Sequence, residues 1–167
     1  LVEISPEALV ERLALAGRAA QRVLAQMSAE EKAAALRAAA RSLREAESDI
    51  LVANARDLAA GEANGLTKAM LDRLMLDPAR LAGIAAAVEQ VAALPDPVGQ
   101  VIDRSERPNG LLLSRVRVPV GLIGIIYESR PNVTADAAAL CFRSGNAVLL
   151  RGGSEAVHSN RAIHAAL

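Results

Sequence analysis

The segment that most constrains the fold is 118–160, because strand-like, turn-like and helix-like stretches follow one another there in a diagnostic order. An uncharged run, Val118–Tyr127, is followed by a polar turn through Ser129–Asn132 and then by a helix-like stretch. A second apolar run, Ala147–Leu150, breaks at once into a glycine turn that opens another helix. This order is typical of a parallel α/β nucleotide-binding sheet, whose ligands bind beyond the carboxyl ends of the strands. Both polar turns fall at that edge, so the segment predicts a binding site there.

Residues 1–96 hold 27 of the 36 alanines and predict helices throughout, forming a layer that covers the sheet. Helix starts are indicated by a serine, threonine or aspartate cap, in two cases followed by proline. They are Ser5-Pro6, Ser28 with Glu31 as a capping box, Ser48, Thr67 and Asp77-Pro78, and Gly61 is predicted to end the third helix. On the first helix, helical spacing predicts one buried face formed by Leu9, Leu13, Ala16, Ala20, Val23 and Met27.

Residues 100–118 predict a β-hairpin around the turn Arg107-Pro108-Asn109-Gly110. In its second arm Val116 and Val118 alternate with Arg115 and Arg117, as in a strand with one solvent-exposed face. A lone hairpin is only marginally stable in water. We therefore expect this hairpin to pack on another sheet or on another subunit, which gives it a possible role in oligomerisation.

The composition excludes several classes of function. The 19 basic and 19 acidic residues cancel, and one tyrosine, one phenylalanine and no tryptophan offer little surface for base stacking, so we expect no nucleic-acid partner. The longest uncharged run is about half the roughly 20 residues of a membrane helix, so we expect no membrane partner. The amino terminus lacks a secretory pattern, and a single cysteine excludes an intrachain disulfide framework. These features predict a soluble cytoplasmic protein.

The end of the chain indicates that more sequence follows. Residues 163–167 lie inside a helical pattern and carry no capping residue. Two parallel strands alone also leave both edges of their sheet open. We expect the 167 residues to be the amino-terminal part of a longer protein.

The glycine turn after the second strand is the first candidate for ligand binding. Gly152, Gly153 and Ser154 directly follow a strand, where free backbone amides and the dipole of the next helix favour an anion. Arg151, at the end of the strand, would add a fixed positive charge with forked donors. The alternative is an ordinary connection that needs glycine for its backbone angles, because neither a GxGxxG fingerprint nor a P-loop lysine is present.

The turn after the first strand supplies the second candidate. The amide of Asn132 is placed to donate to a developing oxyanion, although a turn asparagine more often bonds its own backbone. Tyr127, Glu128 and Arg130 would line the same opening. Cys141 shares a helical face with Ala137 and Leu140, so we expect a buried, protonated thiol rather than a nucleophile. No metal site is expected, since the two histidines, His158 and His164, are poorly spaced for one helix face.

A family resemblance is carried by residues 127–160, YESRPNVTADAAALCFRSGNAVLLRGGSEAVHSN. It extends upstream through LTKAMLDRLMLDPARLAGIAAAVEQVAALPDPVGQVIDRSERPNGLLLSRVRVPVG and is strong from about residue 65 to residue 167. The sequence resembles the γ-glutamyl phosphate reductases, or glutamate-5-semialdehyde dehydrogenases, of proline biosynthesis, within the aldehyde dehydrogenase superfamily. The resemblance implies an α/β, aldehyde-dehydrogenase-like fold with a cofactor-binding domain, a catalytic domain and a small β oligomerisation element. Residues 119–167 would then be the first βαβα of the cofactor-binding sheet, and the catalytic domain would lie outside this chain.

The resemblance also implies an activity and roles for particular residues. Such enzymes use NADPH to reduce L-glutamyl 5-phosphate to L-glutamate 5-semialdehyde through a cysteine thioester, and the catalytic cysteine lies in a part that this chain lacks. Asn132 would stabilise the oxyanion. Arg151 would contact the adenosine ribose or a 2′-phosphate, with Gly152, Gly153, Ser154 and Glu155 beside it. Implied partners are a second copy of the protein, in a homo-oligomer, and glutamate 5-kinase.

Two other interpretations stay open at this stage. In the first, the complete protein is another reductase of the aldehyde dehydrogenase superfamily or the reductase half of a bifunctional kinase–reductase. In a different class, the fragment is a nucleotide-binding or oligomerising module without chemistry of its own.

Overall fold

The computed structural model describes residues 4–167, so the first three residues of the predicted helical layer lie outside the described residues. Five helices come first, followed by two strands, and then by an alternation of strand and helix. A short 3₁₀ turn, Ser154–Ala156, precedes the last helix. The elements are α1 (Pro6–Leu24), α2 (Ala29–Glu45), α3 (Glu47–Ala63), α4 (Lys68–Leu74), α5 (Pro78–Ala93), β1 (Val101–Glu106), β2 (Leu112–Val116), β3 (Leu122–Ile126), α6 (Asn132–Arg143), β4 (Ala147–Arg151) and α7 (Val157–Ala166).

Most of the predicted helix starts are confirmed, because the capping side chains accept hydrogen bonds from the first turns of α1, α2, α4 and α5. The third start was wrong. Helix α3 begins at Glu47, one residue after α2 ends its last turn, and has no side-chain cap, so Ser48 lies within it. Gly61 does not end α3 either. A Cβ at this position would lie 2.8 Å from Leu66 Cδ1, so the glycine permits close packing of the following loop.

The main hydrophobic core lies between α2 and α5 and extends to α3, α6 and α7. Its small side chains let the helices approach closely, while leucine, isoleucine and valine fill the space between them. Twelve buried residues form it: Leu36, Ala40, Leu43, Ile50, Leu81, Ile84, Ala85, Val88, Ala92, Ala135, Ala139 and Ile163. The core residues of α2 and α5 recur at helical spacing, so each of these helices buries one face.

The predicted buried face of α1 was wrong. Leu9, Leu13 and Val23 are 39%, 43% and 70% exposed, and the helix instead turns Gly17 and Leu24 toward the rest of the structure. A Cβ at Gly17 would lie 2.7 Å from Leu122 Cδ1 on β3. The small size of Gly17 therefore lets the helix approach the sheet closely, while Leu9 and Leu13 stay exposed.

Strands β3 and β4 pair in parallel and align the two predicted turns at one edge. The register places Leu122 opposite Ala147 and Ile126 opposite Arg151. At the other edge the side chain of Asn146 accepts a hydrogen bond from Gly121 N at 2.8 Å. Gly121 has φ +121°, and a Cβ there would also collide with the Arg18 guanidinium. The carboxyl ends of both strands thus lie side by side.

Strands β1 and β2 form a separate antiparallel hairpin, as predicted, with Glu106 opposite Leu112. Every residue of β2 is exposed within residues 4–167, and Leu112 is 73% exposed. The expectation that this arm packs on another sheet or on another subunit stays a prediction. None of the helices in residues 4–167 has the length and apolar character required to cross a lipid bilayer.

Candidate functional site

The turns that follow β3 and β4 are joined by a hydrogen bond. Ser129 Oγ donates to Glu155 Oε2 at 2.7 Å. This bond is the largest influence that lowers the pKa of Glu155, and the backbone amide of Glu155, the Ser154 hydroxyl and the positive charge of Arg151 lower it further. A fixed, ionised carboxylate therefore lies at the carboxyl edge of the sheet, between the two predicted binding turns.

The two glycines after β4 allow neighbouring side chains to lie close to the backbone, and they do not adopt unusual backbone angles. Neither has a positive φ. A Cβ at Gly153 would lie 2.7 Å from Glu155 Oε2 and 3.2 Å from Ser129 N, and a Cβ at Gly152 would collide with the Asn160 amide. In residues 4–167, neither glycine amide donates a hydrogen bond to another protein group, so both remain available to a ligand.

Arg151 is the last residue of β4, and its side chain is exposed. Its guanidinium contacts the adjacent carbonyl oxygen of Gly152 and forms no ion pair among the described residues. Five donors in a planar fork at this edge are suited to phosphate or ribose oxygens. Arg151, the glycine turn and Glu155 thus form one polar stretch at the carboxyl end of β4, and their role in binding a cofactor stays a prediction.

A hydrogen-bonded chain of side chains supports the glycine turn from behind. The Tyr127 hydroxyl lies 2.7 Å from Thr134 Oγ1, which donates to Asn160 Oδ1 at 3.1 Å. These residues come from the turn after β3, from α6 and from α7. They line one end of a mostly apolar cavity of about 700 Å³, together with Gly152 and Gly153. The glycine turn is therefore held on a rigid polar support.

Sequence reasoning missed the group that positions α7. Asp57, buried on α3, accepts hydrogen bonds from His158 N at 3.1 Å and from Ser159 N at 2.7 Å. The Ser159 hydroxyl also donates to Asp57 at 2.6 Å and accepts a bond from Asn54 Nδ2 at 3.0 Å. Two amides at the start of α7 are therefore already paired with a carboxylate. The amides of Gly152 and Gly153, by contrast, donate no hydrogen bond among the described residues.

A sequence signal for this network did exist. Ile50, Asn54, Asp57 and Gly61 are all buried and recur at helical spacing, so two polar residues lie on the apolar stripe of α3. Polar residues on such a stripe must be hydrogen-bonded, because an unpaired buried polar group is costly. Their partners cannot be identified from local sequence, because Asn54 bonds Leu74 O and Leu76 N as well as Ser159, and the partners of Asp57 lie about 100 residues further along the chain.

Asn132 is the first residue of α6 rather than part of the preceding turn. Its Nδ2 donates to Asp136 Oδ2, one helical turn further on, at 2.9 Å. Since the amide nitrogen carries two hydrogens, one remains for another acceptor. Asn132 and Asp136 line an open hollow of about 330 Å³ that also borders α4 and α5, through Arg73 and Arg80 among others. This hollow is distinct from the cavity behind the glycine turn.

Cys141 is the free cysteine of the described residues, and it is buried on α6. Burial raises the pKa of its thiol above the ordinary value of 9.0, so the thiol stays protonated near neutral pH. The polar residues at the carboxyl edge of the sheet are suited to polarising and orienting a ligand.

Comparison with known proteins gives a consistent result, although no family model matches the chain. A γ-glutamyl phosphate reductase of Novosphingobium aromaticivorans is 70% identical over 159 residues, which are 95% of this chain and 37% of the relative. The crystal structure of the Thermotoga maritima γ-glutamyl phosphate reductase superposes with a TM-score of 0.88 at 46% identity, covering 92% of this chain and 37% of that one.

The fold extends to more distant proteins. An NAD-dependent benzaldehyde dehydrogenase of Corynebacterium glutamicum gives a TM-score of 0.74 at 22% identity, which shows a common fold alone. The predicted α/β, aldehyde-dehydrogenase-like fold is thereby confirmed. The chain spans little more than a third of the length of the curated relatives that it matches. With this identity across almost its whole length, the chain belongs to the γ-glutamyl phosphate reductase family and corresponds to the amino-terminal part of its members.

Proposed function

We propose that the complete protein reduces L-glutamyl 5-phosphate to L-glutamate 5-semialdehyde with NADPH, releasing phosphate, as a step of proline biosynthesis in the cytoplasm. The observation that carries this proposal is the 70% identity, over 95% of the chain, to a protein named for that activity. The geometry of the carboxyl edge supports it. At this edge, the turn after β4 offers hydrogen-bond donors for an anionic cofactor. The amide of Asn132 can polarise a substrate carbonyl.

The chain fits the adenosine end of a nicotinamide cofactor at the turn after β4. The unpaired amides of Gly152 and Gly153 and the exposed guanidinium of Arg151 suit phosphate oxygens. Glu155, ionised and held by Ser129, suits ribose hydroxyls, and Ser154 lies beside it in the 3₁₀ turn. When bound, the cofactor supplies the hydride for the reduction. In this proposal these five residues bind the cofactor and fix its position.

Asn132 would act on the acyl group. A cysteine thiolate from outside these residues attacks the acyl carbon, phosphate leaves, and the resulting thioester accepts hydride. Negative charge then develops on the acyl oxygen in the transition states of both steps. The second N–H of Asn132 is free to donate to that oxygen, because the first is taken by Asp136. In this proposal the contribution of Asn132 grows as the charge develops.

The proposal is tested by assaying the complete protein in the reverse direction. The substrates are L-glutamate 5-semialdehyde, NADP and inorganic phosphate, and formation of NADPH is followed by absorbance. Phosphate-dependent NADPH formation is the expected result. Reduction of NADP at the same rate without phosphate would contradict an acyl-phosphate reductase and favour a different member of the superfamily.

Arg151→Ala is expected to weaken NADPH binding more than it slows the chemical step, because the adenosine end is remote from hydride transfer. A lost charge-assisted hydrogen bond corresponds to a roughly 10- to 100-fold increase in the dissociation constant. If the guanidinium contacts a 2′-phosphate, the loss is larger for NADPH than for NADH. Dissociation constants for both cofactors, with wild-type and mutant protein, measure this difference. Unchanged constants for both would remove Arg151 from the cofactor site.

Cys141→Ala is expected to leave the turnover of the complete enzyme within a few-fold of wild type. The thiol is buried and protonated, so its loss creates a small cavity that costs on the order of 1 kcal/mol of stability. Turnover and chemical denaturation of the same preparations separate the two effects. If Cys141→Ala abolished turnover while the variant unfolded at the same denaturant concentration as wild type, Cys141 would be the nucleophile.

The hairpin β1–β2 supports a second property, homo-oligomer formation. Its large apolar residues, including Leu112, Leu113 and Val116, are exposed, and an isolated hairpin needs further packing for stability. We propose that a second copy of the protein packs against it. Glutamate 5-kinase, the enzyme class that makes acyl phosphates of glutamate, is the proposed functional partner.

A further inference from the structure

The hollow in front of Asn132 contains charges that the proposed role of Asn132 does not use. We propose that it is the pocket for the amino-acid end of the substrate, in which Asp136 receives the α-ammonium group and Arg73 the α-carboxylate. This inference rests on the proposed function, because it takes the reacting acyl carbon to lie at Asn132. It assigns substrate specificity to residues of this chain, independently of the part of the protein that carries the nucleophile.

Asp136 is the first element of the argument. Its Oδ2 accepts the amide of Asn132 at 2.9 Å, and the carboxylate forms no ion pair with any of the described residues. Asp136 is only partly buried and lines the open hollow, so a cationic group of a ligand can reach its carboxylate. The other carboxylate oxygen, Oδ1, is available for this cation. In glutamyl phosphate only two methylene groups separate the α-carbon from the acyl carbon, so an ammonium group accompanies the acyl group into the hollow.

The two arginines at the hollow differ in their partners. Arg80 is held in place, because its guanidinium pairs with Asp72 Oδ1 at 2.7 Å and donates to the Met75 carbonyl at 3.1 Å. Arg73, at the end of α4, forms no ion pair within residues 4–167. Its planar fork is suited to a carboxylate. The hollow therefore offers one free carboxylate and one free guanidinium, the complement of a zwitterionic amino acid.

The charges of this hollow favour a ligand that carries both an ammonium and a carboxylate group. The unpaired donors suited to a nucleotide phosphate lie at Arg151 and the glycine turn instead. An aliphatic aldehyde would leave both charges unpaired. Specificity is strong where a site is built to bond a polar group, because an analogue without that group leaves the site's own polar atoms unsatisfied.

The test compares three aldehydes in the reverse reaction of the complete enzyme. L-Glutamate 5-semialdehyde carries both charged groups, 5-oxopentanoate lacks the ammonium group, and 4-aminobutanal lacks the carboxylate. Each analogue is measured as a competing inhibitor as well as a substrate, so that its relative affinity is defined even when its turnover is slow. We expect wild-type enzyme to prefer the complete substrate over 5-oxopentanoate by roughly 10- to 100-fold.

Asp136→Asn is expected to remove this preference. The value of kcat/KM for L-glutamate 5-semialdehyde falls by that factor, mainly through KM, while the affinity for 5-oxopentanoate changes by less than about threefold. Arg73→Gln is expected to remove the preference over 4-aminobutanal in the same way. The controls are Asp49→Asn and Arg56→Gln on exposed positions of α3, which leave all three preferences unchanged.

If Asp136→Asn lowered kcat/KM by the same factor for L-glutamate 5-semialdehyde and for 5-oxopentanoate, the inference would be overturned. Asp136 would then act only by holding Asn132. A wild-type enzyme that prefers neither charged group would overturn it as well. Failure of the proposed function is a different result, namely absence of phosphate-dependent turnover of L-glutamate 5-semialdehyde by the wild-type enzyme. The two failures are therefore distinguishable in one set of assays.

Discussion

Asn132→Ala is expected to lower kcat of the complete enzyme by about 10²–10³, equivalent to roughly 3–4 kcal/mol of transition-state stabilisation. The reason is that, in the proposed function, the second N–H of Asn132 donates to the acyl oxygen most strongly as that oxygen gains negative charge. Affinity for NADPH should change little, because the residues proposed to bind the cofactor lie on the turn after β4. Single-turnover rates and a cofactor titration measure the two quantities separately.

The matched control is Asn64→Ala, which removes an exposed asparagine at the carboxyl end of α3. We expect it to keep the wild-type rate. A different result for Asn132→Ala, an unchanged kcat with an earlier unfolding transition, would indicate that Asn132 serves only to start α6 and to pair with Asp136.

Asp96→Asn is expected to cost about 3–5 kcal/mol of unfolding free energy in the complete protein. The Lys32 ammonium pairs with Asp96, and the two side chains are only 2% and 12% exposed. Removal of the carboxylate leaves the lysine charge buried without a partner, so the loss exceeds the net value of the pair. Denaturation in urea, with turnover as a check on folding before denaturant is added, measures the loss.

The exposed pair between Arg44 and Glu89 provides the control. Arg44 donates to Glu89 through both of its terminal nitrogens, at 2.7 and 2.9 Å, but both side chains are more than two-fifths exposed. Glu89→Gln is expected to cost no more than about 1 kcal/mol, because water and salt screen this pair. If the two variants lost similar amounts of unfolding free energy, burial of the Lys32–Asp96 pair would contribute nothing to the difference in stability.

The same ion pair makes stability depend on pH. Burial by itself would raise the pKa of Asp96, but the hydrogen bond from Lys32, that from Val98 N and the charges of Lys32 and Arg143 outweigh burial and lower it below 3.8. A carboxylate with a lowered pKa stabilises the fold above the pKa of the unfolded chain, and this contribution is lost as pH falls through the folded-state pKa. Wild-type stability should therefore fall more steeply than that of Asp96→Asn below about pH 4.

Local sequence signals predicted the parts of the fold that depend on neighbouring residues. The caps at Ser5, Ser28, Thr67 and Asp77 act within their own first turns, so the sequence contains both partners. The hairpin turn and the two parallel strands were predictable for the same reason. The turn at Arg151–Glu155 was predictable from a glycine pair after an apolar run, and the structure places it directly after β4. Its role in binding a cofactor stays a prediction.

Tertiary structure alone decided which faces are buried and what the polar residues contact. Helix α1 buries the side that contains Gly17 and Leu24, and this choice depends on the close approach of Gly17 to Leu122, more than 100 residues away. The pairing of Asp57 with the start of α7 likewise depends on two distant segments meeting. Asn132 and the glycine turn both lie at the carboxyl edge of the sheet, as the sequence indicated. That they line separate hollows follows from the packing of α6 beside α4 and α5, because a side chain's surroundings depend on helices that local sequence does not bring together.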